Sequence, residues 1–145
     1  MKKNQEVALG LLRVVIGIIF LAHGYQKLLV WGVHGVAGTF GQLGMPLPVV
    51  SAYLASFAEF FGGLALVLGF GTRLAAMPVG FTMLVALLQV HLKGGFFLPT
   101  GFEYVLMLLA GSVVLVIGGG GAFALDNVIW RQKREPQLEA SRLAA

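Results

Sequence analysis

The chain has no cysteine among its 145 residues, so it can form neither a disulfide nor a thiolate metal site, and it cannot run dithiol chemistry with its own side chains. Any redox role therefore requires a bound cofactor or a partner. Charge is scarce as well: 11% of the residues are charged, against about 25% in an ordinary soluble domain. With 58% hydrophobic residues and a mean hydropathy of +0.89, a water-soluble fold would have nowhere to put its apolar surface. The six acidic residues are outnumbered by ten basic ones, and the surplus sits mainly at Lys2, Lys3, Arg131, Lys133, Arg134 and Arg142. That distribution flanks a membrane and is not a nucleic-acid surface. Also missing is the Lys-Ser or Lys-Thr that would turn the glycine run 118–121 into a phosphate loop. His23 and His91 with Glu103 show no metal-ligand spacing, so no metal site is expected. No small-x-small cleavage site follows the apolar run 14–22, and apolar character resumes over 28–31; the start reads as a retained span, not a cleaved leader.

What is present is four apolar blocks. A helix needs about 20 residues to cross a hydrocarbon core of about 30 Å, and residues 7–30, 49–70, 74–92 and 102–117 qualify. The expected fold is all-α: an integral membrane antiparallel bundle of four transmembrane helices, one domain over 1–130, followed by a basic tail at 131–145. Gly69-Phe70-Gly71-Thr72 makes a tight turn between the second and third spans, and Gly94, Gly95, Pro99 and Gly101 break the third from the fourth. With four spans, Lys2, Lys3, Arg73 and the basic tail share one side, while only Lys27 and Lys93 border the other. The positive-inside rule then puts both termini in the cytoplasm. In the first outer connection Val36, Phe40 and Leu43 have helical spacing, so this stretch is either a short interfacial helix or an irregular loop. Near the end, Asp126 is placed to cap a short basic helix running through Val128, Ile129 and Trp130 to Arg134.

Few ionisable groups lie inside the spans. Each costs about 2.5–3.5 kcal/mol near a helix centre, so it should face the bundle and find a partner. Arg13, Phe20 and Lys27 are seven apart and His23 lies four before Lys27, which puts all four on one helical face. His23 and Lys27 come about 15–21 Å beyond Arg13 along that face. Glu59 sits near the centre of the second span on a face with Ala52, Ala55, Ser56, Gly62, Gly63 and Leu66, small residues that allow a close neighbour. Its expected cationic partners are Arg13 from the inner side or His23 from the outer side. Gln89, His91 and Glu103 reach the same outer depth as His23 and Lys27, so the expectation is a polar pocket in the outer half with Glu59 at its floor. The bland readings stand beside it: Lys27, His91 and Glu103 could simply snorkel to the interface, and Arg13 with Glu59 could be a structural pair.

At these residues the chain resembles the DoxX family of small bacterial membrane proteins, over roughly residues 9–129. The matching stretches are Leu12-Arg13 with Gly17, Phe20 and His23-Gly24-Tyr25-Gln26-Lys27; Leu43-Gly44-Met45-Pro46; Glu59-Phe60-Phe61-Gly62-Gly63 with Leu68-Gly69 and Thr72-Arg73; Glu103; and 118–126, ending in Leu125-Asp126. In that last stretch the family usually has Gly-Pro-Gly followed by a hydroxyl residue, and this chain has neither the proline nor the hydroxyl. The resemblance implies a four-helix bundle in the bacterial inner membrane, a family named for a subunit of an archaeal thiosulfate:quinone oxidoreductase, and Arg13, Lys27, Glu59 and Glu103 as functional positions.

The leading expectation is a membrane subunit, not an oxidoreductase on its own, that binds a quinone or similar lipophilic molecule and works with a soluble redox enzyme. His23 or Lys27 would donate a hydrogen bond to a carbonyl, Glu59 or Glu103 would relay a proton, and Phe20, Phe60 and Phe61 would flank a ring. No covalent cofactor is expected. The rivals are a small proton-coupled transporter acting as a homo-oligomer, and a non-catalytic scaffold that recruits a soluble enzyme.

Overall fold

The computed structural model describes residues 2–129; Trp130 and the tail at 131–145 lie outside the described residues, and with them most of the expected basic helix. The first helix, α1 (Lys2–Tyr25), ends in a wider π-helical turn over Gln26–Val30. Then follow α2 (Gly32–Gln42) and α3 (Pro48–Leu68), the latter opened by a proline whose missing N–H costs a first turn nothing. Next come α4 (Thr72–Ala86), which widens into a second π-helical turn over Leu87–His91, and α5 (Glu103–Gly118). Among the described residues there is no strand.

Three helical stretches are long and apolar enough to cross a membrane: Lys3–Val30, Pro48–Leu68 and Thr72–Gly94. The fourth apolar helix, Glu103–Gly118, is shorter, about 24 Å at 1.5 Å per residue. The bounds of the four expected apolar blocks agree with these helices to within about one turn, and three of the four are of membrane length.

Glycines set how closely α1 and α3 approach. A β-carbon at Gly24 would overlap the backbone of Phe60, one at Gly63 the backbone of Leu21, and one at Gly17 would stand 2.7 Å from the Val67 nitrogen. Without side chains in the way, the two backbones touch, which is how helices gain packing energy where no hydrophobic drive separates them from lipid. Contacts at 24, 17 and 13 on α1 meet 60, 63 and 67 on α3, so the helices run in opposite senses. A core of Ile16, Phe20, Leu66, Val79, Leu108 and Leu115, each at most 5% exposed, joins α1, α3, α4 and α5. The connection between the first two long helices is helical, not an irregular loop. Its apolar face is spent on α3, with Val36 and Ala37 buried against Ala52. Leu43 stays exposed.

At the opposite end the chain after α5 ties the helices together. Helix α3 closes in a Schellman turn at Gly69, whose φ of 71° only glycine adopts cheaply; Phe70 N donates to Ala65 O at 2.9 Å and Gly69 N to Leu66 O at 3.2 Å. Asp126 then reaches into this turn. Its carboxylate accepts from Gly71 N at 2.7 Å and Thr72 N at 2.9 Å, and its own N–H donates to Gly69 O. The expectation that Asp126 caps its own short helix is thereby corrected. Residues 125–129 are helical, but the carboxylate caps α4, because two N–H groups of that helix's first turn lie unpaired within its reach. Ala122 N donates to Glu6 O at 2.7 Å and Asn127 Nδ2 to Gly121 O at 2.8 Å, so segment 118–127 clasps α1 to the α3–α4 turn.

Replacing Asp126 by Ala should lower stability by about 1–2 kcal/mol, the worth of a helix cap, and Asn should recover part of the loss by keeping one acceptor oxygen. Thermal unfolding of the purified protein in detergent measures both.

Candidate functional site

The face of α3 that points inward is the expected one: Ala52, Ser56, Glu59, Gly62, Gly63 and Leu66 are buried, and Ala55 is half-buried at its edge. Small residues on either side of Glu59 let α1 come in, and Gly24 settles on Phe60. Lys27, less than one turn further along α1, arrives level with Glu59. The two side chains form an ion pair between Lys27 Nζ and Glu59 Oε2, with Glu59 4% and Lys27 16% exposed.

Neither expected partner holds the carboxylate. Arg13 lies about 21 Å from Lys27 along α1 and is spent elsewhere. Its guanidinium donates to Leu66 O at 2.9 Å, Val67 O at 3.2 Å and Ala122 O at 3.5 Å, the first two being among the last carbonyls of α3, which have no partner inside the helix. Arg13 is therefore a buried cap for α3 and part of the clasp. His23 is exposed at the side of the bundle, within the fields of Lys27 and Glu59 but hydrogen-bonded to neither. The shared face expected for Arg13, Phe20, His23 and Lys27 holds for three of the four.

The remaining expected residues form a second group. Glu103 Oε1 accepts from Leu98 N at 2.9 Å and His91 Nδ1 lies 3.4 Å from Thr100 O, so both brace the connection between α4 and α5. Gln89 is exposed beside them. Among the described residues no hydrogen bond or ion pair joins this group to Lys27 and Glu59. Nor do three His, Asp or Glu side chains gather as a metal ion would require. Of the aromatics, Phe20 is packed in the core, Phe60 is half-buried with its ring edge-on to Phe61 at 5.3 Å, and Phe61 continues an exposed ladder with Phe57 and Tyr53. A groove of about 410 Å³ lined by Gln5, Ala8, Leu9, Leu12 and Val114 opens between α1 and α5 near the clasped end, remote from the ion pair.

Chemically, the pair is only half used. Glu59 Oε1 has no hydrogen bond, yet it is not among the sealed polar atoms; of the described side chains only Arg13 Nε and Thr72 Oγ1 are buried without a partner. Lys27 Nζ has two further protons to donate. An acceptor and a donor thus stand side by side, each with hydrogen-bonding capacity unspent, in apolar surroundings.

Removing one partner leaves a lone charge. Lys27→Met should cost roughly 3 kcal/mol because the Glu59 carboxylate is then buried unpaired, whereas Glu59→Gln should cost less because a lysine head can snorkel outward. The double variant should lie closer to the parent than Lys27→Met does. A double-mutant cycle on denaturation midpoints reads these differences.

Comparison with known proteins bears on this geometry. The DoxX family model matches residues 8–92. The chain is 34% identical over 140 residues to "Putative oxidoreductase CatD" of Bacillus subtilis (strain 168), covering 97% of this chain and 100% of that protein. It is 32% identical over 131 residues to "Inner membrane protein YqjF" of Escherichia coli (strain K12), covering 89% and 97%. To an uncharacterized protein of Haemophilus influenzae (strain ATCC 51907 / DSM 11121 / KW20 / Rd) it is 31% identical over 136 residues, covering 91% and 98%. No solved structure matches the chain. The family match holds both halves of the ion pair, Lys27 and Glu59, and the Arg13 cap, and with three membrane-length helices it leads to one conclusion: this is a membrane protein of the DoxX family.

Proposed function

We propose that the chain crosses the inner membrane four times with both termini in the cytoplasm, and that it is the membrane subunit of a redox assembly which binds a quinone or a similar lipophilic carbonyl compound at Lys27 and Glu59. The observation that carries this reading is the half-used ion pair. A quinone-type ring bears oxygens that accept a hydrogen bond in one oxidation state and donate one in the other. Lys27 Nζ serves the first and Glu59 Oε1 the second, so the residues present suit the group. When bound, such a group would supply two-electron chemistry that the side chains of this cysteine-free chain lack.

The chain's own part is to bind and orient. Lys27 fixes an oxygen, Glu59 holds or accepts a proton, His23 stands at the side as a further donor, and Phe60 offers a ring edge. Glu103 and His91 brace the outer connection beside this region, with Gln89 exposed next to them. The short α5 makes its crossing through a locally thinned bilayer, at a cost of a fraction of a kcal/mol per Å. A soluble enzyme would supply the electron partner. The name of the Bacillus subtilis relative points the same way, toward oxidoreduction.

Binding of a short-chain benzoquinone to the purified protein tests the reading. Glu59→Gln and Lys27→Met should each weaken binding about 10–100-fold, the effect of losing one hydrogen bond to a charged group, while Gln5→Ala at the other end should leave it unchanged. Affinity that survives Glu59→Gln intact would remove the site.

A further inference from the structure

We infer that the Lys27–Glu59 pair communicates with water at one end of the bundle only, the end bearing α2 and the α4–α5 connection, and is closed to the clasped end by a dry layer about Phe20. The inference takes from the proposed function only that this pair is the working site; it does not depend on the ligand being a quinone.

The closure is built from contacts that leave no room for a file of water. Below Glu59 the helices meet through glycine: a β-carbon at Gly62 would stand 2.7 Å from Val79 Cγ1, one at Gly63 would overlap Leu21, and one at Gly111 would overlap Ile16. Where a methyl group does not fit, a water does not either. Phe20 is 1% exposed, and Leu66, Val79 and Leu115 are fully buried. The buried hydroxyl of this layer is already engaged with its own helix, Ser112 Oγ donating to Leu108 O at 2.8 Å. Arg13, the charge on the far side, is turned to the carbonyls of α3 and the clasp, not to Glu59. The polar stripe that the heptad spacing of Arg13 and Lys27 suggests is therefore cut in two at Phe20.

Toward the other end α2 covers the α3 side, with Val36 and Ala37 packed on Ala52, and the packing loosens on the sides of α1 and α4. His23 is exposed, Gln26, Lys27 and Leu28 are half-buried, and no residue of either π-helical turn is buried. The free oxygen of Glu59 and the spare protons of Lys27 thus open toward the end where Gln26 and His91 stand. A proton exchanged at Glu59, or a ligand's polar head, comes and goes by that end. A carrier that passes an ion from one face to the other is incompatible with this arrangement unless the core separates.

The absence of native cysteine makes the test direct, because a single introduced thiol has no background. Single-cysteine variants of the full chain in sealed membrane vesicles are treated with a charged, membrane-impermeant methanethiosulfonate added to one side at a time. Gln5→Cys and Thr100→Cys, both exposed, mark the two ends. His23→Cys and Lys27→Cys, the latter combined with Glu59→Gln so that no lone carboxylate remains, should react from the Thr100 side and not from the Gln5 side. Ser112→Cys, inside the dry layer, should react at least about tenfold more slowly than Thr100→Cys, since apolar surroundings raise a thiol's pKa and one pKa unit is a tenfold loss of thiolate. Size-exclusion profiles matching the parent keep each variant interpretable. Labelling of position 27 from the Gln5 side, labelling from neither side, or fast labelling at Ser112→Cys would each overturn the inference. A loss of quinone binding with this pattern intact would overturn the proposed ligand alone.

Discussion

A carboxylate near the middle of an apolar helix is the constraint around which the rest of this fold is arranged. Glu59 is 4% exposed in a stretch otherwise made of alanine, phenylalanine, glycine and leucine, where too little water reaches it to offset its charge. Lys27 must therefore be brought to it. That requirement explains the glycines at 24 and 63, because only backbones in contact place the stem of a lysine on α1 beside a carboxylate on α3. It also explains why Lys27 does not extend its head to the interface as a lone lysine near a helix end would.

The clasped end solves a different problem with the same economy. The last carbonyls of α3 and the first N–H groups of α4 meet at a four-residue turn, where both sets would be costly to leave bare near lipid. Arg13 covers the carbonyls from α1, and Asp126 covers the N–H groups from the segment after α5. Two opposite charges thus close one turn from two sides. This end is consequently tied by hydrogen bonds from two elements, with Arg13 Nε and Thr72 Oγ1 left without a partner, while at the ion pair Glu59 Oε1 and two protons of Lys27 Nζ are unspent.

Much of this was legible in the sequence. Apolar block lengths locate the membrane-length helices, the glycines at 69 and 71 locate the turn, and the small residues around Glu59 locate its buried face. The pairing was not legible. Arg13, Phe20 and Lys27 share a heptad face, and that spacing cannot say which cation reaches Glu59, since the answer depends on the depth at which α1 slides along α3. Gly24, a glycine between His23 and Tyr25, was the available signal: it marks the point of closest approach and thus the register. The target of the Asp126 carboxylate is hidden for a related reason. A cap looks local in sequence, and nothing in 118–126 states that an unpaired helix start 54 residues earlier lies within reach. The expected gathering of His91 and Glu103 with Lys27 rested on equal depth alone, and equal depth does not distinguish a shared pocket from two neighbouring clusters.

The central claim is that Lys27 and Glu59 meet inside the membrane. Solid-state NMR of the full chain in lipid bilayers, with ¹⁵N in the lysine side chains and ¹³C in the glutamate carboxyls, measures that contact by dipolar recoupling. A Lys27 Nζ to Glu59 carboxyl coupling corresponding to a separation within about 4 Å, the range of an ion pair, is the predicted result. A Lys27 nitrogen that couples to no glutamate carboxyl, and instead shows contact with water or lipid phosphate, would contradict the account.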